Sequence, residues 1–561
     1  MARIIIVGGV AGGMTAAARL RRLDEAAEII VFEAGPYVSF ANCGLPYYIS
    51  GVIPRREDLL VVSAEYLRTN LLLDIRTETK VVSINPAAKT VTAESGGQRY
   101  EEHYDALVLS PGAAPVRPPI PGVNDERVHT IRSIPDVDAV KNRLDTGQLK
   151  EAVVVGGGFI GIEMADNLLR ANVEVHMVEM ADQVLSSMLD PDMAAFVHDH
   201  LRRKGVHLHL GSPVTEFIPG DDKIVVALDN GSQLEADAVI LAIGVRPELH
   251  LAKDAGLALG PRGGIAVDEY LRTSDPHIYA VGDAVEVKDF VTGQPTLVAL
   301  AGPANKQGRI VANNIAGRRE TYQASQGTAI VDALGLVAAG TGATSMTLKR
   351  ADIPHMTSVI HDSSHASYYP GATPLTIKLL FDRTGHILGA QAVGEKGVDK
   401  RIDVLATALR MNATVEDLQR LELAYAPQFG TARDPVNIAG FVAGNILAGN
   451  VSTVEATQVP ELEAVATFLD VREPREHDRG CIPGSLNIPL SQLRQRLNEI
   501  PRGKPVVVYC EIGRRAYIAC RALRQLGLDV ANLAGGWRSY AAVKSDCKTK
   551  ICLYRQSPQE D

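Results

Sequence analysis

Arg3-Ile4-Ile5-Ile6-Val7-Gly8-Gly9-Val10-Ala11-Gly12-Gly13 decides how this chain folds. Ile4 to Val7 is a short all-apolar run, as a parallel strand covered on both faces requires. The glycines after it turn the chain into a helix expected to begin near Met14. Glu28-Ile29-Ile30-Val31-Phe32-Glu33 reads as the next strand and ends in an acid twenty residues after Gly13. In such a strand, turn, helix and strand, the glycines admit a pyrophosphate to the backbone and the helix N-terminus favours its charge. The terminal acid accepts from ribose hydroxyls. Gly8, Val10, Ala11, Gly12 and Glu33 are therefore candidate nucleotide contacts. Val10 occupies the middle-glycine position of the pattern, so this copy alone also fits a plain strand-to-helix turn.

A second copy makes the reading firm. Ala152-Val153-Val154-Val155 leads into Gly156-Gly157-Gly158-Phe159-Ile160-Gly161, where Gly156, Gly158 and Gly161 complete the pattern and Ile160 lies within it. Val173 to Glu179 then ends in another acid. Two such loops about 150 residues apart mean two dinucleotides and an α/β fold with two Rossmann-like domains. Glu179 at its strand end accepts from a free ribose 2′-hydroxyl and repels a 2′-phosphate. No arginine follows in Met180-Ala181-Asp182, so NADH is expected over NADPH.

Just past the first loop, Ser39-Phe40-Ala41-Asn42-Cys43-Gly44-Leu45-Pro46-Tyr47 carries one cysteine, and the other five of the six lie beyond residue 480. A lone redox cysteine takes its partner from outside the chain: a small thiol, a persulfide sulfur or a sulfenic oxygen. An inert buried thiol is the alternative.

Further along come Ser110-Pro111-Gly112-Ala113, Ala242-Ile243-Gly244-Val245-Arg246-Pro247 and Ile278-Tyr279-Ala280-Val281-Gly282-Asp283. With these, residues 1 to about 445 resemble the flavin-dependent pyridine nucleotide-disulfide oxidoreductases. The resemblance implies FAD, with Gly282 and Asp283 on its ribityl chain and pyrophosphate and Ala113 and Gly244 among the cofactor contacts. The cysteine segment resembles the single-cysteine branch, which spans coenzyme A-disulfide reductases, persulfide reductases, NADH oxidases and NADH peroxidases. The oxidases and peroxidases generally rely on a histidine near residue 10, and here Val10 and Ala11 leave peroxide chemistry without that acid-base group.

Arg19 and Arg22 are three apart on the helix after the first loop, hence on one face, as a solvated helix face or as a clamp for phosphates. The resemblance favours the clamp and implies coenzyme A contacts at Thr15, Arg19, Arg22, Ser39 and Asn42, with Asn305 and Arg433 as more distant ones. Asn305 departs from the histidine expected there. From about Thr328, short strands and a helix over Lys400 to Met411 resemble the family's dimerisation domain. Tyr425 and one of Tyr368 or Tyr369, with Tyr368 preferred, are implied to reach the other subunit's cysteine. Half-buried interface tyrosines are the alternative.

Gly449-Asn450-Val451-Ser452 and Pro460 break the helical pattern. Leu469-Asp470-Val471-Arg472-Glu473, Gly480-Cys481-Ile482-Pro483-Gly484 and Val506-Val507-Val508-Tyr509-Cys510 then resemble a rhodanese module. Cys510, followed by Glu511-Ile512-Gly513-Arg514-Arg515, is the expected sulfane-sulfur carrier, its loop amides converging on the sulfur. Cys481 stands where that family commonly has histidine.

The expected domains are FAD-binding (1–115 and 245–325), NAD(H)-binding (116–244), dimerisation (326–445), a linker (446–459), rhodanese (460–543) and a polar, disordered tail (544–561). Cys547 and Cys552 in that tail could pair or relay sulfur. Sequence singles out no metal site. A formal charge of −9 without a basic stripe argues against nucleic acid. No apolar run reaches the roughly 18 residues that span a bilayer, the opening strand leads us to expect no secretory leader, six cysteines in so long a chain point to a reducing cytoplasm, and the resemblance implies a homodimer. The expected activity is NADH-driven, FAD-dependent reduction of persulfide or polysulfide sulfur, coenzyme A persulfide foremost, through Cys43. The alternatives are reduction of coenzyme A disulfide, a rhodanese sulfurtransferase with an auxiliary reductase, and an NADH oxidase.

Overall fold

Ile4, Ile5 and Ile6 are each at most 2% exposed, and they form the middle of a five-stranded parallel sheet. The computed structural model describes residues 2–554, with side chains through Asp546. The chain divides into two compact units, one of residues 2–156, 163–175 and 214–327, the other of 157–162, 176–213 and 328 onward.

In the first unit the parallel order is Ile278–Ala280, Ala106–Leu109, Arg3–Val7, Glu28–Phe32 and Asp74–Arg76. Helix Ala11–Leu23 begins three residues earlier than the sequence suggested. The amide of Met14 already donates to the Val10 carbonyl at 2.9 Å, so Gly12 and Gly13 belong to the first turn. A second parallel ladder joins Val128–His129, Ala238–Leu241 and Glu151–Val155. Ala113–Pro115 pairs antiparallel with Val245–Pro247 where the chain leaves and re-enters the first sheet's domain.

In the second unit, the His176 to Glu179 part of strand Glu174–Glu179 runs parallel to His207–Leu210. An antiparallel sheet takes the order Ala329–Ala333, Leu336–Gly342, Ile387–Gly394, Pro374–Phe381 and Met356–Ser363, followed by helices Val398–Arg410 and Pro435–Leu447. A parallel sheet of Ser452–Val454, Val530–Leu533, Val506–Tyr509, Thr467–Asp470 and Leu486–Asn487 closes the chain.

Two expectations are corrected here. Ser452–Val454, read as linker, is an edge strand of the last sheet, because it pairs with Ala531 to Leu533. The tail from Lys544 continues helix Gly536–Tyr554. Asp546 anchors it, accepting from Arg202 at 2.9 Å and lying 3.0 Å from His198 Nδ1, a docking that polarity alone does not reveal. The side chains of Cys547 and Cys552 lie outside the described residues.

Lys378, 1% exposed, holds Asp192 at 2.9 Å, Asp190 at 3.1 Å and Glu455 at 3.4 Å. Despite its desolvation, these carboxylates keep the ammonium charged. Such a buried cluster ties segments far apart in sequence, and removing one partner typically costs about 3–5 kcal/mol. Among the described residues no helix is long and apolar enough to cross a membrane.

Candidate active site

Both glycine loops are tied to their strand-end acids in the same way. Glu33 accepts from the Gly9 and Gly35 amides, each at 2.8 Å. Glu179 accepts from Gly157 at 2.6 Å and Ala181 at 2.8 Å. Gly8 has φ +102°, and a Cβ there would meet the Ser110 carbonyl at 2.0 Å, so the turn demands glycine. Gly158 differs, since a Cβ there would find no protein atom within 4 Å. Open room ahead of helix Phe159–Arg170 fits a pyrophosphate. Gly282 donates to Gln307 Oε1 at 2.7 Å, and burial pushes the adjacent Asp283 carboxyl up. Ala113 opens the strand that pairs with Val245–Pro247, and Gly244, with φ +105°, immediately precedes that partner strand. This donor set fits two dinucleotides.

Cys43 sits in a short 3-10 turn, Asn42–Gly44, that runs into helix Leu45–Ile49. Ser39, at φ +50°, donates its amide to the Gly9 carbonyl at 2.8 Å and so binds this segment to the first loop. Cys43 is exposed, and its thiol is pushed up by desolvation first, then by the Glu163 and Asp283 carboxylates. Glu163 is itself raised to about 7 by burial, opposed by a long bond from the Tyr47 hydroxyl at 3.4 Å. The sequence reading missed Glu163, whose available signal was an acid at the fifth position of the helix after the second glycine loop.

Thr15 donates to Asn305 Oδ1 at 2.8 Å, so helix Ala11–Leu23 and helix Ala301–Ile315 join two of the expected substrate contacts. Arg19 donates to Asn313 at 3.0 Å. Its pKa is lowered by desolvation and then by Arg309, Arg318 and Arg22, which places it in a cationic cluster suited to phosphate groups. Arg309 and Arg318 were not singled out from sequence, because only helix pairing gathers them.

In the second unit the hydroxyls of Tyr368 and Tyr425 meet at 2.9 Å, and both residues are exposed, at 74% and 47%. Their mutual hydrogen bond raises the Tyr368 pKa. Tyr369 instead turns its ring edge-on to His365, 5.8 Å between centroids. Arg433 is exposed just ahead of helix Pro435–Leu447.

Cys510 directly follows strand Val506–Tyr509 and is 1% exposed. Its carbonyl accepts from the Trp537 amide at 2.7 Å. Helix Arg514–Gln525 starts four residues later, after Gly513 at φ +89°. Arg515 is gripped by both oxygens of Glu476, at 2.7 and 2.6 Å. The guanidinium pKa is raised by that pairing first, and also by a hydrogen bond to Cys510. Arg515 therefore brings positive charge to the sulfur and Glu476 sets where that charge lies. Neither role was read from sequence, although both residues sit inside the rhodanese-like strings.

The chain belongs to the pyridine nucleotide-disulphide oxidoreductase family, whose pattern matches residues 2–308, with its dimerisation domain over 333–435 and a rhodanese-like domain over 455–543. It is accordingly a flavoprotein oxidoreductase of the kind that uses FAD and NADH. Among solved structures it resembles the reduced CoADR-RHD of Bacillus anthracis, 48% identical with TM-score 0.95, covering 97% of this chain and 98% of that one. The NAD-dependent persulfide reductase of A. fulgidus is 38% identical with TM-score 0.91, over 96% of this chain and 100% of that one. A Methanocaldococcus jannaschii protein named NADH oxidase is 36% identical over 78% of this chain and 97% of its own length.

Proposed function

We propose that the chain is an NADH-dependent reductase of sulfane sulfur, with coenzyme A persulfide or polysulfide as its substrate. One observation carries this reading. A single-cysteine flavoprotein half is fused to a rhodanese-like module whose own cysteine, Cys510, is contacted by a guanidinium clamped in place.

When bound, FAD supplies the passage of an electron pair from NADH to a sulfur-sulfur bond. Gly8, Glu33 and Asp283 would hold it, while Gly158 and Glu179 would hold NADH. The cationic cluster around Arg19 and the Thr15–Asn305 pair bind the phosphates of coenzyme A. Cys43 thiolate attacks the sulfur-sulfur bond of the substrate, forming a Cys43 mixed disulfide or persulfide and expelling a thiol or hydrogen sulfide. Two electrons and a proton then free the second sulfur species and return Cys43 as thiolate. Because the resting thiol is pushed up, nucleophile supply depends on that reductive release. Tyr425 of the partner subunit, paired with its Tyr368, protonates the leaving sulfur in a homodimer. Cys510 delivers sulfane sulfur. The domain division given above is retained, with Ser452–Val454 moved to the rhodanese module. Four cysteines free among the described residues suit a reducing cytoplasm.

The test is anaerobic NADH turnover against coenzyme A persulfide, polysulfide, coenzyme A disulfide and glutathione disulfide. A clear preference for coenzyme A disulfide would replace this reading with the disulfide reductase one. The relative named NADH oxidase supports a second reading, checked by oxygen uptake with no thiol present.

A further inference from the structure

We infer that the strand pair Glu174–Glu179 and His207–Leu210 carries a transition-metal site made by His176, His207 and His209. The site lies outside the redox and rhodanese cysteines and does not depend on the proposed reaction.

The register pairs His176 with His207 and Val178 with His209. Side chains alternate along a strand, so His207 and His209 share a face, and His176 projects beside them from the neighbouring strand. His176 Nδ1 stands 3.2 Å from His209 Nε2. The His176 and His207 rings stack at 4.6 Å between centroids, and one ligating atom each of Glu174, His176 and His207 lie within 4.8 Å of one another. Glu174 precedes His176 by two residues on the same strand and therefore shares its face.

A tetrahedral zinc with bonds of about 2.0–2.1 Å to nitrogen separates two ligating nitrogens by roughly 3.3 Å. The His176–His209 spacing matches that edge. His207 is exposed, and turning its ring brings a third nitrogen toward the same point. Imidazoles suit zinc, nickel, copper and cobalt and discriminate against magnesium and calcium. With three protein nitrogens a coordination position stays open to water, and the ion would pin the outer strand to its neighbour.

The competing account is a metal-free stack in which one N–H···N hydrogen bond sets the 3.2 Å spacing. To separate the two, the full-length FAD-loaded enzyme is freed of metal with a chelator, dialysed and titrated with Co2+, followed by its visible absorption. The proposal expects one Co2+ per chain with no thiolate-to-metal charge-transfer band, displacement by Zn2+ and no competition from Mg2+. His176→Gln and His209→Gln, made separately, should each weaken binding by at least about tenfold while FAD absorbance and NADH turnover persist. Because two variants are made, a folding failure in one leaves the other to decide. Absence of stoichiometric binding, binding that carries a thiolate band, or binding unchanged in the folded variant would each overturn the site.

Discussion

Replacing Glu163 with Gln tests the electrostatics around Cys43. Burial lifts the Glu163 carboxyl from 4.5 to about 7. At about 1.36 kcal/mol per pKa unit, ionising it in the folded protein costs about 3 kcal/mol more than in the unfolded chain. Solvent reaching the half-buried carboxyl trims this toward about 2 kcal/mol. The folded pKa lies above the unfolded one, so the stability is complete below about pH 4.5 and is lost as pH rises through about 7. Gln carries no charge at either extreme and still accepts from Tyr47. E163Q should therefore melt close to the parent at pH 5 and several degrees above it at pH 8, followed by circular dichroism and flavin release in the same scans. The carboxylate also raises the Cys43 thiol, so the pH midpoint for iodoacetamide labelling of Cys43 should fall in the variant. A melting difference that stays flat from pH 5 to 8, with an unchanged labelling profile, would refute the placement of a near-neutral carboxyl beside Cys43.

Cys43→Ser should abolish persulfide and disulfide reduction while the protein stays yellow, and a yellow variant with appreciable turnover would remove Cys43 as the nucleophile. NADH should exceed NADPH by at least about tenfold in kcat/KM, the roughly 1.4 kcal/mol that one ribose contact to Glu179 can supply, and equal use of the two would show that Glu179 does not face the 2′ position. Tyr425→Phe should lower kcat more than it raises KM. Mixing it with Cys43→Ser subunits should restore activity through heterodimers with one intact Cys43–Tyr425 pair, and exchange without recovery would place both groups in one subunit. Glu476→Gln should slow sulfur transfer from thiosulfate to cyanide about tenfold, or roughly 1.4 kcal/mol, as Arg515 loses its anchor. Glu476→Asp should recover part of the rate, and unchanged transfer in Glu476→Gln would show that Arg515 needs no clamp.

Where chemistry depends on neighbours in the chain, the sequence by itself determined the outcome. The two glycine loops, their acids at Glu33 and Glu179, and the strand-end cysteine Cys510 could all be read because a turn, a helix N-terminus and a strand end are local conformations set by a few consecutive residues. The start of helix Ala11–Leu23 was misplaced for a local reason too. Glycine is a poor helix former, and only the bond from Met14 to Val10 shows that Gly12 and Gly13 are helical.

Tertiary structure alone decided which distant residues share an environment. It gave Tyr368, already preferred to Tyr369 from sequence, its hydroxyl bond to Tyr425. It turned a polar segment into the docked helix Gly536–Tyr554 by giving Asp546 the Arg202 guanidinium and the His198 imidazole as partners on helix Pro191–Arg203. Glu163 near pH 7, Arg515 held by Glu476, and three histidines on adjacent strands are likewise products of long-range packing. Desolvation and Coulomb interaction depend on what fills the space around a group, and residues tens to hundreds of positions away fill it.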